Sequence, residues 1–315
     1  MFGMSDPRAP GSDPQPSSPD TLEEIIERGV VTAVRSDGVD LAVQSWPGDG
    51  DVVLFAHATG FHKEIWAPTI RKLLARGVTA RLVAVDLRGH GDSPEPSSGP
   101  SVWEYARDVT AVAEQFASPE GRLIGVGHSL GGMAVAAAEV VVPGSFAALV
   151  LIDPVLISPS QAERMSISDS NPWAAGARRR RPGFPSRQDA YRTYAAKQVF
   201  SRWPDEVLRL YVNHGFTPHN GMWTLKCSPE WEAATFSQPD ISHVWGRLDA
   251  VNAPVTLITA EHSATHPPQV ADAVAARLSA HHVRLPGITH FIPMEAPESV
   301  AAEIANHLDD PRPGP

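Results

Sequence analysis

The chain has 315 residues, 42% of them hydrophobic, with a formal net charge of −10 and one cysteine, Cys227. That is enough apolar material for one large globular domain with an insertion, whereas the acidic balance argues against a general binder of nucleic acid or anionic membrane, each of which needs a basic face. The lone cysteine allows no intrachain disulfide, no run reaches the roughly 18 apolar residues of a membrane span, and the first residues lack a signal peptide's basic and apolar regions, so a cytoplasmic protein is expected.

Residues 1–20 are rich in Pro, Ser, Asp and Gly and read as a disordered tail, as do residues 310–315. Segments 30–34 and 40–45 alternate as an antiparallel pair at one sheet edge. The apolar run 52–56 predicts a strand buried on both faces, followed by a helix over 66–74. A second such strand, 82–85, ends in the turn-rich Arg88-Gly89-His90-Gly91-Asp92-Ser93. Ser101 is placed to cap a helix whose stripe runs through Val102, Tyr105, Ala106, Val109, Val112, Ala113 and Phe116.

Further buried strands are predicted at 123–126, 149–152 and 255–258, with a short one at 283–285. Helices are expected over 130–142 and 297–308. Strands separated by helices imply right-handed crossovers and a mainly parallel central sheet flanked by helices, the α/β class. The alternation lapses over 154–243, where aromatic residues from Trp173 to Trp231 fall with partly helical spacing. This stretch is expected to be a helical cap inserted into a core made of 21–153 and 244–309.

Gly127-His128-Ser129-Leu130-Gly131 fits G-x-S-x-G, with a strand before it and a helix of small residues after it. In that context the glycines allow a sharp turn that exposes a strained serine above the sheet, with a helix N-terminus behind it. A dinucleotide-binding reading fails, because Leu130 stands where G-x-G-x-x-G needs its last glycine.

These residues resemble the α/β-hydrolase superfamily over almost all of 30–308. The turn His57-Ala58-Thr59-Gly60-Phe61 is similar to the family's oxyanion turn, with alanine for the usual glycine. The resemblance implies Ser129 as nucleophile and the backbone N–H groups of Thr59 and Leu130 as oxyanion donors. Asp86-Leu87-Arg88-Gly89-His90-Gly91-Asp92-Ser93 looks like a structural turn of the family. Gly287-Ile288-Thr289-His290 matches the segment that carries the general base, His290. His128, beside the nucleophile, reads as a packing or hydrogen-bonding neighbour.

The family's usual acid falls at Ser263 here, which leaves Asp153 and Glu261. Asp153 is taken first, since it ends a strand on the rim that carries Ser129; Glu261 is the alternative. His262 and His266 are four apart but lack a third ligand at a metal-site spacing, so no metal or other cofactor is implied.

The segment around Arg178-Arg179-Arg180-Arg181 is similar to lids of bacterial hydrolases and fungal toxin-biosynthesis hydrolases. Its arginines could meet an acidic substrate group or form a solvated face. The implied partner is a largely apolar small molecule, cleaved at an ester, lactone or thioester through an acyl-enzyme. Two alternatives share the pocket: cleavage of a C–C bond or a non-hydrolytic biosynthetic step, and ligand binding by an inactive member of the fold. The oligomeric state is left open.

Overall fold

The computed structural model describes residues 20–167, 171–263 and 267–309. Apart from Asp20, the expected tails fall outside these residues, as does His266.

The chain opens with α1 (Leu22–Glu27), β1 (Val30–Ser36), β2 (Val39–Trp46), β3 (Val52–Ala56), α2 (Ala67–Ala75), β4 (Arg81–Val85) and α3 (Val102–Phe116). It continues through β5 (Leu123–His128), α4 (Leu130–Val141) and β6 (Ala148–Ile152). The stretch before the next sheet strand holds α5 (Pro159–Ile167), α6 (Pro172–Arg178), β7 (Gly183–Phe184), α7 (Arg187–Ala195), α8 (Asp205–Gly215), β8 (Phe216–His219), β9 (Met222–Leu225) and α9 (Pro229–Phe236). β10 (Val255–His262), α10 (Pro268–Leu278), β11 (His281–Thr289), α11 (Ile292–Glu295) and α12 (Pro297–Asp309) complete it.

Eight strands form one sheet in the order β1-β2-β4-β3-β5-β6-β10-β11. β1 pairs antiparallel with β2, and β2 with β4; the other neighbours are parallel. This is the α/β-hydrolase fold. The fully buried apolar residues of β3, β5 and β6 explain the sheet's place between two hydrophobic layers. Helices α2 and α12 pack together on one face and α3 and α4 on the other. Ser101 caps α3 as its sequence suggests, its Oγ accepting from the Trp103 N–H at 3.3 Å.

Two expectations need correction. β11 runs for nine residues rather than three, because edge pairing to β10 extends it beyond its apolar centre. The stretch after β6 is not wholly helical, since β7, β9 and β8 form a second, three-stranded sheet. Its turn is Asn220-Gly221, both at positive φ (47° and 74°), which is the backbone a two-residue hairpin requires.

The order of the large sheet positions the site. From β3 the chain moves outward to β4 and then crosses back to β5 on the opposite side of β3. Loops leaving the carboxyl ends of β3 and β5 therefore diverge and open a crevice between them. His57 follows β3 and Ser129 follows β5, so both turns flank that crevice. Among the described residues no helix is long and apolar enough to cross a membrane.

Candidate active site

Ser129 occupies a backbone conformation of φ 55° and ψ −111° between β5 and α4, which a residue with a side chain rarely adopts. The turn is held by the Ser129 N–H donating to Ile152 O at 2.9 Å and the Gly131 N–H donating to His57 O at 3.0 Å. The flanking glycines are required by close approach. A first side-chain carbon at Gly127 would lie 2.3 Å from Gly131 O, and one at Gly131 would lie 2.1 Å from Ala56 O. Ser129 itself is 5% exposed and lines the main cavity.

His290 follows β11 and lines the same cavity. Its Nδ1–H donates to Asp153 Oδ2 at 2.9 Å, which directs Nε2 away from the carboxylate. Asp153 is fully buried at the end of β6, at φ 41°, with its N–H donating to Ile258 O at 2.8 Å. Its Oδ1 accepts from the Ala260 N–H at 3.4 Å. Neighbouring β10 thus supports Asp153 by backbone groups. Glu261 is directed elsewhere: it is exposed and accepts from the Gly287 N–H at 2.6 Å. The structure brings Asp153, and not Glu261, to His290.

His128 supports the same imidazole from below. Its Nε2–H donates to the His290 backbone carbonyl at 2.8 Å, with ring centroids 4.9 Å apart. Burial, with His290 beside it, pushes its pKa down to about 3, so the ring stays neutral and keeps that donor role.

Of the two expected oxyanion donors, Thr59 lines the cavity and Leu130 is the first residue of α4, whose N–H has no acceptor within the helix. The Thr59 turn is locked by His57, whose Nδ1–H donates to Ala58 O at 2.8 Å while Nε2 accepts from the Leu87 N–H at 3.2 Å. Burial, reinforced by His90, holds the His57 pKa well below its ordinary range, which fixes this neutral donor–acceptor arrangement.

The Asp86–Ser93 turn serves structure. The Arg88 guanidinium makes a buried two-pronged contact with Asp108 at 2.8 and 2.6 Å, and buried Lys63 lies 2.8 Å from Asp86. Burial disfavours the Lys63 ammonium, but Asp86, Glu64 and Asp92 outweigh that cost and keep it protonated.

The cavity measures about 800 Å³ and is walled from two sides. The sheet's loops supply Thr59, Phe61, Ser129, His290 and Phe291, and the stretch between β6 and β10 supplies the opposite wall. Of that stretch's aromatics, Trp173, Tyr194, Phe200, Tyr211 and Phe236 line it. Phe184, Trp203, Phe216 and Trp231 are instead buried in packing. Phe61 stacks on Trp203 at 5.9 Å and Phe291 meets it edge-on at 5.2 Å, which couples the two walls through ring contacts.

The four-arginine run divides. Arg178, Arg179 and Arg181 are exposed, whereas Arg180 turns inward to the cavity, paired with Glu232. Glu232, Tyr194 and Tyr211 as Arg180's partners were not legible in the sequence, since they lie on separate helices with no shared motif. His262 lines the cavity beside exposed Glu261, at 4.0 Å.

The alpha/beta hydrolase family's sequence profile matches residues 53–303. The chain belongs to that family, and is an enzyme of the hydrolase class. It is 30% identical over 239 residues to a non-heme chloroperoxidase of Streptomyces lividans, covering 73% of this chain and 72% of that one. It is 27% identical over 270 residues to a 2-(acetamidomethylene)succinate hydrolase of Mesorhizobium japonicum, covering 83% and 89%. A solved E-2-(acetamidomethylene)succinate hydrolase superposes with a TM-score of 0.74 at 22% identity, over 89% of this chain and 99% of that one. An esterase of Mycobacterium tuberculosis superposes with 0.73 at 23% identity, over 91% and 97%. At these identities the two structural likenesses bear on the fold.

Proposed function

We propose that the chain is a serine hydrolase that cleaves a carboxylic ester, lactone or thioester of a largely apolar small molecule, with residues 154–243 as a cap over the site. The observation that carries this reading is the His290–Asp153 hydrogen bond of 2.9 Å, with His290 and the strained Ser129 lining one cavity. Ser129 Oγ attacks the acyl carbon as His290 Nε2 takes its proton. Asp153 remains ionised and stabilises the imidazolium that forms. The N–H groups of Thr59 and Leu130 meet the developing oxyanion, each worth about 2.7–4 kcal/mol if they match measured side-chain donors.

His290 then protonates the leaving group, and a water deprotonated by the same imidazole releases the acyl group from Ser129. The aromatic and aliphatic wall favours an apolar substrate, because burying that surface drives binding without a charge partner. The relatives with esterase or hydrolase names are compatible with this chemistry.

The test is labelling with a fluorophosphonate probe, followed by turnover of chromogenic esters of increasing acyl length. Ser129 should take the label, and Ser129→Ala should lose on the order of 10⁶ in kcat if the three side chains act as a unit. Full turnover by Ser129→Ala would overturn the mechanism. Cleavage of a β-diketone with the ester panel untouched would redirect it to C–C hydrolysis.

A further inference from the structure

One charged cluster in the cavity lies next to the oxyanion turn and takes no part in the acyl chemistry. Arg180 Nη1 donates to Glu232, while Nη2 donates to the hydroxyls of Tyr194 at 2.9 Å and Tyr211 at 2.6 Å. All four residues line the cavity. The cluster abuts Gly60, the residue after Thr59: a first side-chain carbon there would lie 2.9 Å from Glu232 Oε1 and 3.2 Å from Arg180 Nη1.

Both tyrosine oxygens accept from Arg180, so each hydroxyl proton must be donated elsewhere. Tyr211 points its proton at Gly60 O, 3.5 Å away. Burial raises the Tyr211 pKa against the pull of Arg180, so the phenol keeps that proton. The Tyr194 proton has no acceptor among the described residues. The charges of Arg180 and Glu232 cancel, so a bound carboxylate would have to displace Glu232 from a nearly dry contact. Lys197, over the Tyr194 ring at 4.5 Å, and Arg202 are exposed cations at the cavity's margin, outside this cluster.

We propose that Arg180, Glu232, Tyr194 and Tyr211 form a second polar binding point that takes an uncharged carbonyl oxygen of an otherwise apolar substrate, with Tyr194 as the donor. Arg180 polarises the Tyr194 hydroxyl and Glu232 balances its charge, so the cluster rewards a hydrogen-bond acceptor without admitting a free acid. This deepens the hydrolase reading by naming a substrate class, a mainly apolar molecule with a ketone or amide carbonyl remote from the scissile bond. A site built around an unmet donor rejects ligands that cannot satisfy it.

The test is calorimetric binding to full-length Ser129→Ala of an aryl alkyl ketone, the matching arylalkane and the matching aryl carboxylate, with no turnover required. The ketone should bind about tenfold more tightly than the arylalkane and the carboxylate, and Tyr194→Phe in the same background should remove most of that advantage. Ketone and arylalkane within threefold of one another, a carboxylate that binds tightest, or an advantage that survives Tyr194→Phe would each overturn the proposal. The comparison within Ser129→Ala alone decides if Tyr194→Phe fails to fold. Because these are equilibrium measurements, a failure of Ser129 to take the fluorophosphonate would sink the hydrolase reading without altering this outcome.

Discussion

His290 and Asp153 stand 137 residues apart in the chain, yet the imidazole Nδ1 and the carboxylate Oδ2 meet at 2.9 Å. Two strand pairings produce this contact. β6 lies against β10 and β10 against β11, so the ends of three strands bring the Asp153 carboxylate, the Ala260 N–H that donates to it and the His290 imidazole to one rim. The contact assigns different consequences to the two carboxylates that the sequence leaves open.

Asp153→Asn keeps the shape but presents an amide that favours the wrong imidazole tautomer, and should lower kcat about 10⁴-fold. Glu261→Gln, which alters only the contact to the Gly287 N–H, should leave kcat within about twofold. Steady-state kinetics of both on one chromogenic ester checks the pair. Equal losses would mean that the acid is shared or misassigned.

His128 holds His290 through its backbone carbonyl rather than its ring. His128→Phe removes the Nε2–H donor and should cost about two- to tenfold in kcat with KM little changed, matching the loss of one hydrogen bond. A loss confined to KM would show that the residue shapes the cavity instead.

Asp108 is fully buried against the Arg88 guanidinium. Asp108→Ala would leave that cation buried with Glu104, 3.2 Å away, as its remaining ion-pair partner, and should cost about 3 kcal/mol of unfolding free energy. Urea denaturation measures the loss. Fluorophosphonate labelling of the folded fraction should keep its normal rate, since the turn touches neither Ser129 nor His290.

Three buried histidines set the acid response. Burial lowers the pKa of His90 from 6.5 to about 4; burial and His290 take His128 to about 3; burial and His90 depress His57. The unfolded chain therefore binds protons below pH 6.5 that the folded chain refuses. Their contribution is fully present above about pH 6.5 and is lost as pH falls toward 4, by up to about 1.4 kcal/mol per unit for each ring. Asp86, whose carboxyl burial raises, works in the opposite direction over part of this range. Thermal melts between pH 7.5 and 4.5 should show the decline, and His90→Gln should make it shallower. A flat profile would mean that these rings are protonated in the folded protein.

Local chemistry made much of this molecule legible from residue order. Uninterrupted apolar runs mark strands buried on both faces, the stripe from Val102 to Phe116 marks a helix, and the glycines around Ser129 mark a turn that other residues could not close. These features depend on neighbours a few positions away. The Asn220-Gly221 hairpin belongs to the same kind and carries a readable signal, although it lies inside a stretch whose spacing suggests helix.

What residue order left open depends on contacts between distant elements. Ser129 was expected at the tip of the elbow, and the structure brings His290 to its cavity. The choice between Asp153 and Glu261, however, needed the order of β6, β10 and β11. The inward turn of Arg180, alone among four consecutive arginines, needed Glu232, Tyr194 and Tyr211 to arrive from three other helices. A buried charge is tolerated only where such partners converge, and that convergence is a property of packing rather than of any local segment.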